Sequence, residues 1–87
     1  MPSRKIYNRI GVLRKERGMS RKVLAEAVGV NFQTVGYLER EEYNPSLDLA
    51  FRICKVFDLP VEMVFSTKAL APLSTELNDI IRNKQGK

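Results

Sequence analysis

Apolar residues recur at helical spacing along most of the chain, with cap-forming polar residues between the runs. Ile6, Ile10 and Leu13 fall at i, i+4 and i+7, which predicts a first helix from a Ser3 cap to about Arg17. Gly18 stops it, and Lys15 and Arg17 in its last turn suit the negative end of the helix dipole. Ser20 caps a second helix, Arg21 to Val28, with Leu24, Ala25 and Val28 on its inner side. Gly29 and Val30 form a turn. Asn31 caps a third helix, Phe32 to about Arg40, with Val35 and Leu38 inward. Residues 41–45 read as a loop, because Pro45 biases Asn44 toward extended backbone. Ser46 caps a fourth helix through Phe57, with a predicted buried stripe of Leu47, Ala50, Ile53, Cys54 and Phe57. Leu59-Pro60 breaks the chain before a short fifth helix over Val61 to Phe65, carrying Val61, Val64 and Phe65. Ser66 to Leu70 fits an extended segment. Leu73, Leu77, Ile80 and Ile81 recur at i, i+4, i+7 and i+8, which predicts a terminal amphipathic helix to about Arg82. Residues 83–87 are expected to fray.

Within this pattern residues 21–40 carry the most information. Ala25 is small enough to let a second helix cross close by. Gly29 can take the left-handed conformation that ends a helix and turns the chain. Val35 faces inward from the next helix. That order of tasks is the grammar of a helix-turn-helix, whose second helix lies in the DNA major groove.

Charge sharpens the picture. The net charge is +5, but residues 1–22 hold eight Lys and Arg against one acid, Glu16, a local +7 that leaves −2 for the remainder. Such a basic segment is either a solvated helix face or an electrostatic footprint for a polyanion. Eighty-seven residues allow one small domain. No apolar run approaches the length of a membrane span, and none follows the basic N-terminus as in a signal peptide, so a cytoplasmic protein is expected. Cys54 is the only cysteine, expected as a buried small hydrophobe. With no histidine, no evident acid pair and no phosphate loop, neither an enzyme nor a metal or cofactor is expected.

The pieces LRKERGMS (13–20), LAEAVGV (24–30), QTVGYLER (33–40), YNPSLDLAFRICKVF (43–57) and VEMVF (61–65) stand in an order and spacing that resembles the Cro/C1-type (XRE) helix-turn-helix family of bacterial and phage transcription regulators. The NPSL element is similar to that of small stand-alone members. The resemblance implies an all-α, five-helix, lambda repressor-like DNA-binding domain over residues 10–65. A C-terminal extension, residues 66–87, would carry the short strand and the amphipathic helix. It also implies a partly buried ion pair between Arg14 and Glu39, which locks the third helix onto the first.

In that arrangement the third helix turns Phe32, Gln33, Gly36, Tyr37 and Arg40 to the major groove, with Thr34 at the edge of the face. Gln33 suits the N6 and N7 edge of adenine. Phe32 either meets a thymine methyl or sugars, or folds back onto the core. Tyr37 either reaches DNA or packs on its own helix. Gly36 carries a cost of about 1 kcal/mol against alanine in a helix interior, which points either to a steric reason such as close approach to DNA or to drift in a domain with stability to spare. Arg21 replaces a glutamine common in relatives and suits a guanine edge or a phosphate. Ser20, Lys22, Asn31, Arg40, Tyr43 and Asn44 are phosphate candidates, the first two beside the N-terminus of the second helix. Glu41 and Glu42 should face away from DNA or act against poor sites.

The implied partner is double-stranded DNA, bound by a homodimer on an inverted repeat, most simply as a repressor. Val64, Leu70, Leu73, Leu77, Ile80 and Ile81 are the dimerisation candidates. The competing function is an antitoxin-like module, binding a protein partner through its tail and regulating its own operon.

Overall fold

A computed structural model of the protein describes residues 5–70. The elements run β1 (Tyr7–Asn8), α1 (Ile10–Glu16), α2 (Arg21–Val28), α3 (Phe32–Glu39), α4 (Leu47–Phe57), α5 (Val61–Val64) and β2 (Phe65–Ser66). Five helices thus pack with one two-stranded antiparallel ribbon, in which Tyr7 faces Ser66 and Asn8 faces Phe65.

Local capping chemistry sets most helix ends. The hydroxyls of Ser20 and Ser46 accept from the backbone N–H of Val23 and Leu49, at 3.0 and 3.1 Å. Asn31 Oδ1 accepts from the N–H of Thr34 at 2.9 Å. Each satisfies a donor that the first helical turn leaves open. Gly29 ends α2 at φ +80, a conformation that other L-residues adopt only with strain. Two arginines close C-termini from outside. Arg52 Nη1 donates to the Val28 carbonyl at 2.6 Å, and Arg17 Nη2 to the Phe57 carbonyl at 2.7 Å. Cations placed there also suit the helix dipole.

The core joins Ile10 and Leu13 of α1, Leu24, Ala25 and Val28 of α2, and Val35 and Leu38 of α3. Leu49, Ala50, Ile53, Cys54 and Phe57 of α4 complete it with Val64 and Phe65. Ala25 lies buried in α2, where a larger side chain would hold α3 further off.

Several expectations need correction. The first helix starts at Ile10, not after Ser3, which lies outside the described residues. Ile6 shares helical spacing with Ile10 but reaches the core from outside the helix, ahead of β1. Asn8 explains the late start: its Oδ1 accepts from the Ile10 N–H at 3.0 Å, an alternative to continuing the helix upstream. On α4 the buried stripe passes through Leu49 rather than Leu47, which is 69% exposed. Leu47 is the first helical residue after the Ser46 cap and lies beyond the edge of the core. Phe65 belongs to β2, so the fifth helix is one residue shorter than expected, and Val61 is exposed. Of the extended segment expected at 66–70, only Ser66 is strand. The amphipathic stripe Leu73, Leu77, Ile80 and Ile81 lies outside the described residues.

Cys54 is buried as expected. Burial, and then the charge of Glu62, push its thiol pKa up, so it stays protonated and unreactive at neutral pH.

Candidate nucleic-acid interface

Helix α3 turns Val35 and Leu38 into the core, each 1% exposed. Its opposite side is open. Phe32 is 56% and Tyr37 47% exposed, which settles Phe32 against the core and in favour of the surface. Arg21, Phe32, Gln33, Gly36, Tyr37 and Arg40 together line a shallow hollow of about 160 Å³. Four of the expected base-reading residues therefore meet in one place. Thr34 stands apart from them: it is half-buried, and its hydroxyl donates to the Asn31 cap at 2.9 Å.

The expected brace is present and larger than expected. Arg14 Nε donates to Glu39 Oε2 at 2.6 Å and its Nη2 to Oε1 at 3.3 Å. Both side chains are nearly buried, at 10% and 8% exposed. Arg14 Nη1 also donates to the Met19 carbonyl at 2.9 Å. Arg21 Nε adds a third contact, to Glu39 Oε1 at 3.1 Å. Arg21 thus ties the start of α2 to the end of α3, and the half-exposed remainder of its guanidinium lines the hollow. Burial alone would push the Glu39 carboxyl pKa up. Hydrogen bonds from Arg14 and then Arg21, with their charges, outweigh it and hold the value below the usual carboxylate range.

That depression fixes a pH dependence. The folded value lies below the unfolded one, so the pair's contribution is complete above about pH 4.3, the ordinary glutamate value. It is lost as pH falls through the folded value, because the unfolded chain binds the proton first. Stability measured by urea unfolding between pH 6 and pH 3 is expected to fall more steeply in the wild type than in Glu39→Gln. Equal slopes would show that Glu39 does not titrate as described.

The phosphate candidates divide. Ser20 and Lys22 are exposed at the start of α2, and Asn31 and Tyr43 are exposed near the two ends of α3. Asn44 is otherwise engaged: its Oδ1 accepts from the Ile6 N–H at 3.0 Å. Arg40 is drawn into the hollow, with its Nε bonded to Glu42 Oε2 at 3.1 Å. Glu41 is held within the protein, accepting from the Asn8 N–H at 3.0 Å. Glu42 sits against Arg40.

Val64 is withdrawn from the dimerisation set, because it is fully buried in its own core. Leu70 is half-buried. The exposed apolar side chains nearby are instead Leu47, Phe51, Val61 and Met63. Leu47 and Val61 share a hollow of about 270 Å³ with Ile6, Pro45, Ala50 and Phe65.

Asn8 was not anticipated. Its Nδ2 donates to the Leu38 carbonyl at 2.7 Å, satisfying the end of α3 from the N-terminal strand. A reading of residues 3–17 as one helix hides it. The basic N-terminal segment is also less available than its charge suggests. Lys5, Arg9, Arg14, Arg17 and Arg21 all bond within the protein.

Comparison with known proteins agrees with the fold. A family model described as helix-turn-helix matches residues 10–64. The HTH-type transcriptional regulator YgzD of Bacillus subtilis (strain 168), itself uncharacterized, is 47% identical over 58 residues, covering 67% of this chain and 88% of that protein. An uncharacterized HTH-type transcriptional regulator of Archaeoglobus fulgidus is 44% identical over 57 residues, covering 66% and 81%. The solved restriction-modification controller protein C.AhdI from Aeromonas hydrophila superposes with a TM-score of 0.60 at 29% identity, over 63% of this chain and 83% of that one. Relatives of this kind are transcription regulators rather than enzymes. The chain belongs to the Cro/C1-type (XRE) helix-turn-helix family and is a DNA-binding transcriptional regulator.

Proposed function

We propose that the protein is a dimeric, sequence-specific repressor that binds an inverted-repeat operator with α3 in the major groove. The observation that carries this reading is the hollow on the exposed side of α3, which unites Arg21, Phe32, Gln33, Tyr37 and Arg40. Gln33 offers the bidentate donor and acceptor that match adenine N7 and N6. Phe32 supplies an apolar surface for a thymine methyl, and Tyr37 a ring and hydroxyl at the base edges. Ser20 and Lys22, at the N-terminus of α2, receive a phosphate on free N–H groups and positive charge. Asn31 and Tyr43 bond the backbone on either side. Localisation in the cytoplasm follows from access to the chromosome.

One domain makes few base contacts, so two copies related by two-fold symmetry are needed for useful specificity. The exposed side chains of Leu47, Val61 and Met63, with Leu70 and the sequence stripe Leu73, Leu77, Ile80 and Ile81, form the dimer contact in this reading.

Selection of bound sites from random DNA, with stoichiometry measured on the winning site, tests the proposal. Two chains on an inverted repeat are expected, with half-site centres one helical turn apart. One chain on an asymmetric site would overturn the dimer. On the selected site Gln33→Ala is expected to lose about 1–3 kcal/mol of discrimination at a single A·T pair per half-site. An unchanged preference at every position would move the reading face elsewhere.

A further inference from the structure

Arg40 follows the last residue of α3. A recognition helix presents its N-terminal residues to the base edges, and an arginine at its far end ordinarily reaches backbone phosphate. Here the side chain folds back by one turn. A Cβ built on Gly36 would lie 3.2 Å from Arg40 Nη1, 3.7 Å from Nη2 and 3.8 Å from Cζ. The guanidinium therefore lies so close over Gly36 that a Cβ there would require it to shift by a few tenths of an ångström, in the same hollow as Gln33.

Two further contacts fix it there. Glu42 Oε2 accepts from Nε at 3.1 Å, and Cζ lies 5.3 Å from the centroid of the Tyr37 ring. Both Nη groups remain the outer prongs of the fork, with no hydrogen-bond partner among the described residues. Such a fork matches guanine O6 and N7. The carboxylate of Glu42 argues against a phosphate as the target. It offsets the arginine's charge and would itself repel a phosphate brought close, whereas a guanine edge carries no net charge.

We infer that Arg40 is a guanine-reading residue, positioned over the base-facing side of α3 by Gly36, Tyr37 and Glu42. The inference rests on the reading that α3 enters the major groove. It predicts a guanine in each half-site next to the A·T pair read by Gln33.

The test uses the full chain and its selected site, with all single base-pair substitutions measured at several salt concentrations. Arg40→Lys keeps the charge but not the fork. It is expected to lower preference for guanine at one position per half-site by about 10- to 100-fold, with the other positions and the salt dependence unchanged. Gly36→Ala, checked for folding by circular dichroism, is expected to weaken the same position by displacing the guanidinium. A phosphate anchor gives a different result: Arg40→Ala weakens all sequences evenly and reduces the salt slope by about one per domain, and that outcome overturns the inference. Preference for guanine that survives Arg40→Lys also overturns it, and an effect of Arg40→Lys without one of Gly36→Ala removes the positioning role of Gly36. If the wild type selects no sequence at all, the reading of α3 itself fails, which is a distinct outcome.

Discussion

Glu39→Ala is expected to cost about 3–5 kcal/mol of folding stability, the range for removing one member of a buried ion pair. Burial sets the size of this effect. An exposed pair is worth about 0–1 kcal/mol because water screens it and two side chains must be ordered. Arg14 and Glu39 are 10% and 8% exposed and share two hydrogen bonds. Without Glu39 the Arg14 guanidinium keeps the Met19 carbonyl as acceptor but becomes a buried charge without a counter-charge. Arg21 is 48% exposed, so Arg21→Ala should cost less than about 1 kcal/mol. A domain of this size has only about 5–15 kcal/mol in total, so Glu39→Ala should unfold at much lower urea. The double variant Arg14→Met with Glu39→Leu should recover most of the loss, because neither charge is then stranded. A cost below about 1 kcal/mol for Glu39→Ala would place the pair among ordinary surface contacts.

The second large effect concerns salt. Counterion release makes log affinity fall with log salt at a slope of about −0.9 per neutralised phosphate. If Lys22 and two further cations of each copy neutralise one phosphate apiece, the proposed dimer loses roughly 10³-fold in affinity between 50 and 200 mM salt. The sequence alone suggests far more. If the +7 of residues 1–22 were all available in both copies, the loss would be roughly 10⁷-fold. The structure decides between them, because Arg9, Arg14 and Arg17 are committed to Met63, Glu39 and Phe57. Measured affinity across a salt titration on the selected operator checks this. A salt-independent affinity would remove the phosphate interface, and a loss near 10⁷-fold would show that these arginines leave their internal partners on DNA.

What the sequence disclosed and what it concealed follow from the range of each interaction. Ser20, Asn31 and Ser46 cap their own next turn, and Gly29 turns its own backbone, so a few neighbouring residues suffice to place four helix boundaries. The start of α1 was different. It depends on a ribbon whose partner strand lies at Phe65–Ser66, and a local apolar spacing at Ile6 imitated a helix. The hollow on α3 was half visible. Helical geometry places Phe32, Gln33, Gly36, Tyr37 and Arg40 on one side, but whether Phe32 faces the core or the surface requires the packed structure. Gly36 and Arg40 share that side at the four-residue spacing of helix neighbours, but only the packed structure shows the guanidinium lying over Gly36. The Arg14–Glu39 pair came from family resemblance. The second grip of Arg21 on Glu39 did not, because an arginine there departs from the usual glutamine.

Asn8 gives the fold a consequence for transplantation. Its side chain bonds the last turn of α3 through the Leu38 carbonyl, while its backbone pairs with Phe65. Glu39 is held by arginines from two other helices. Helix α3 is therefore not a portable cassette. A chimaera that moved only residues 31–40 into another regulator would leave the Glu39 carboxylate without its donors and the Leu38 carbonyl with backbone N–H partners alone. Unless the host supplied an asparagine and an arginine at matching places, the graft would carry the reading side chains but present them at a different angle to the groove.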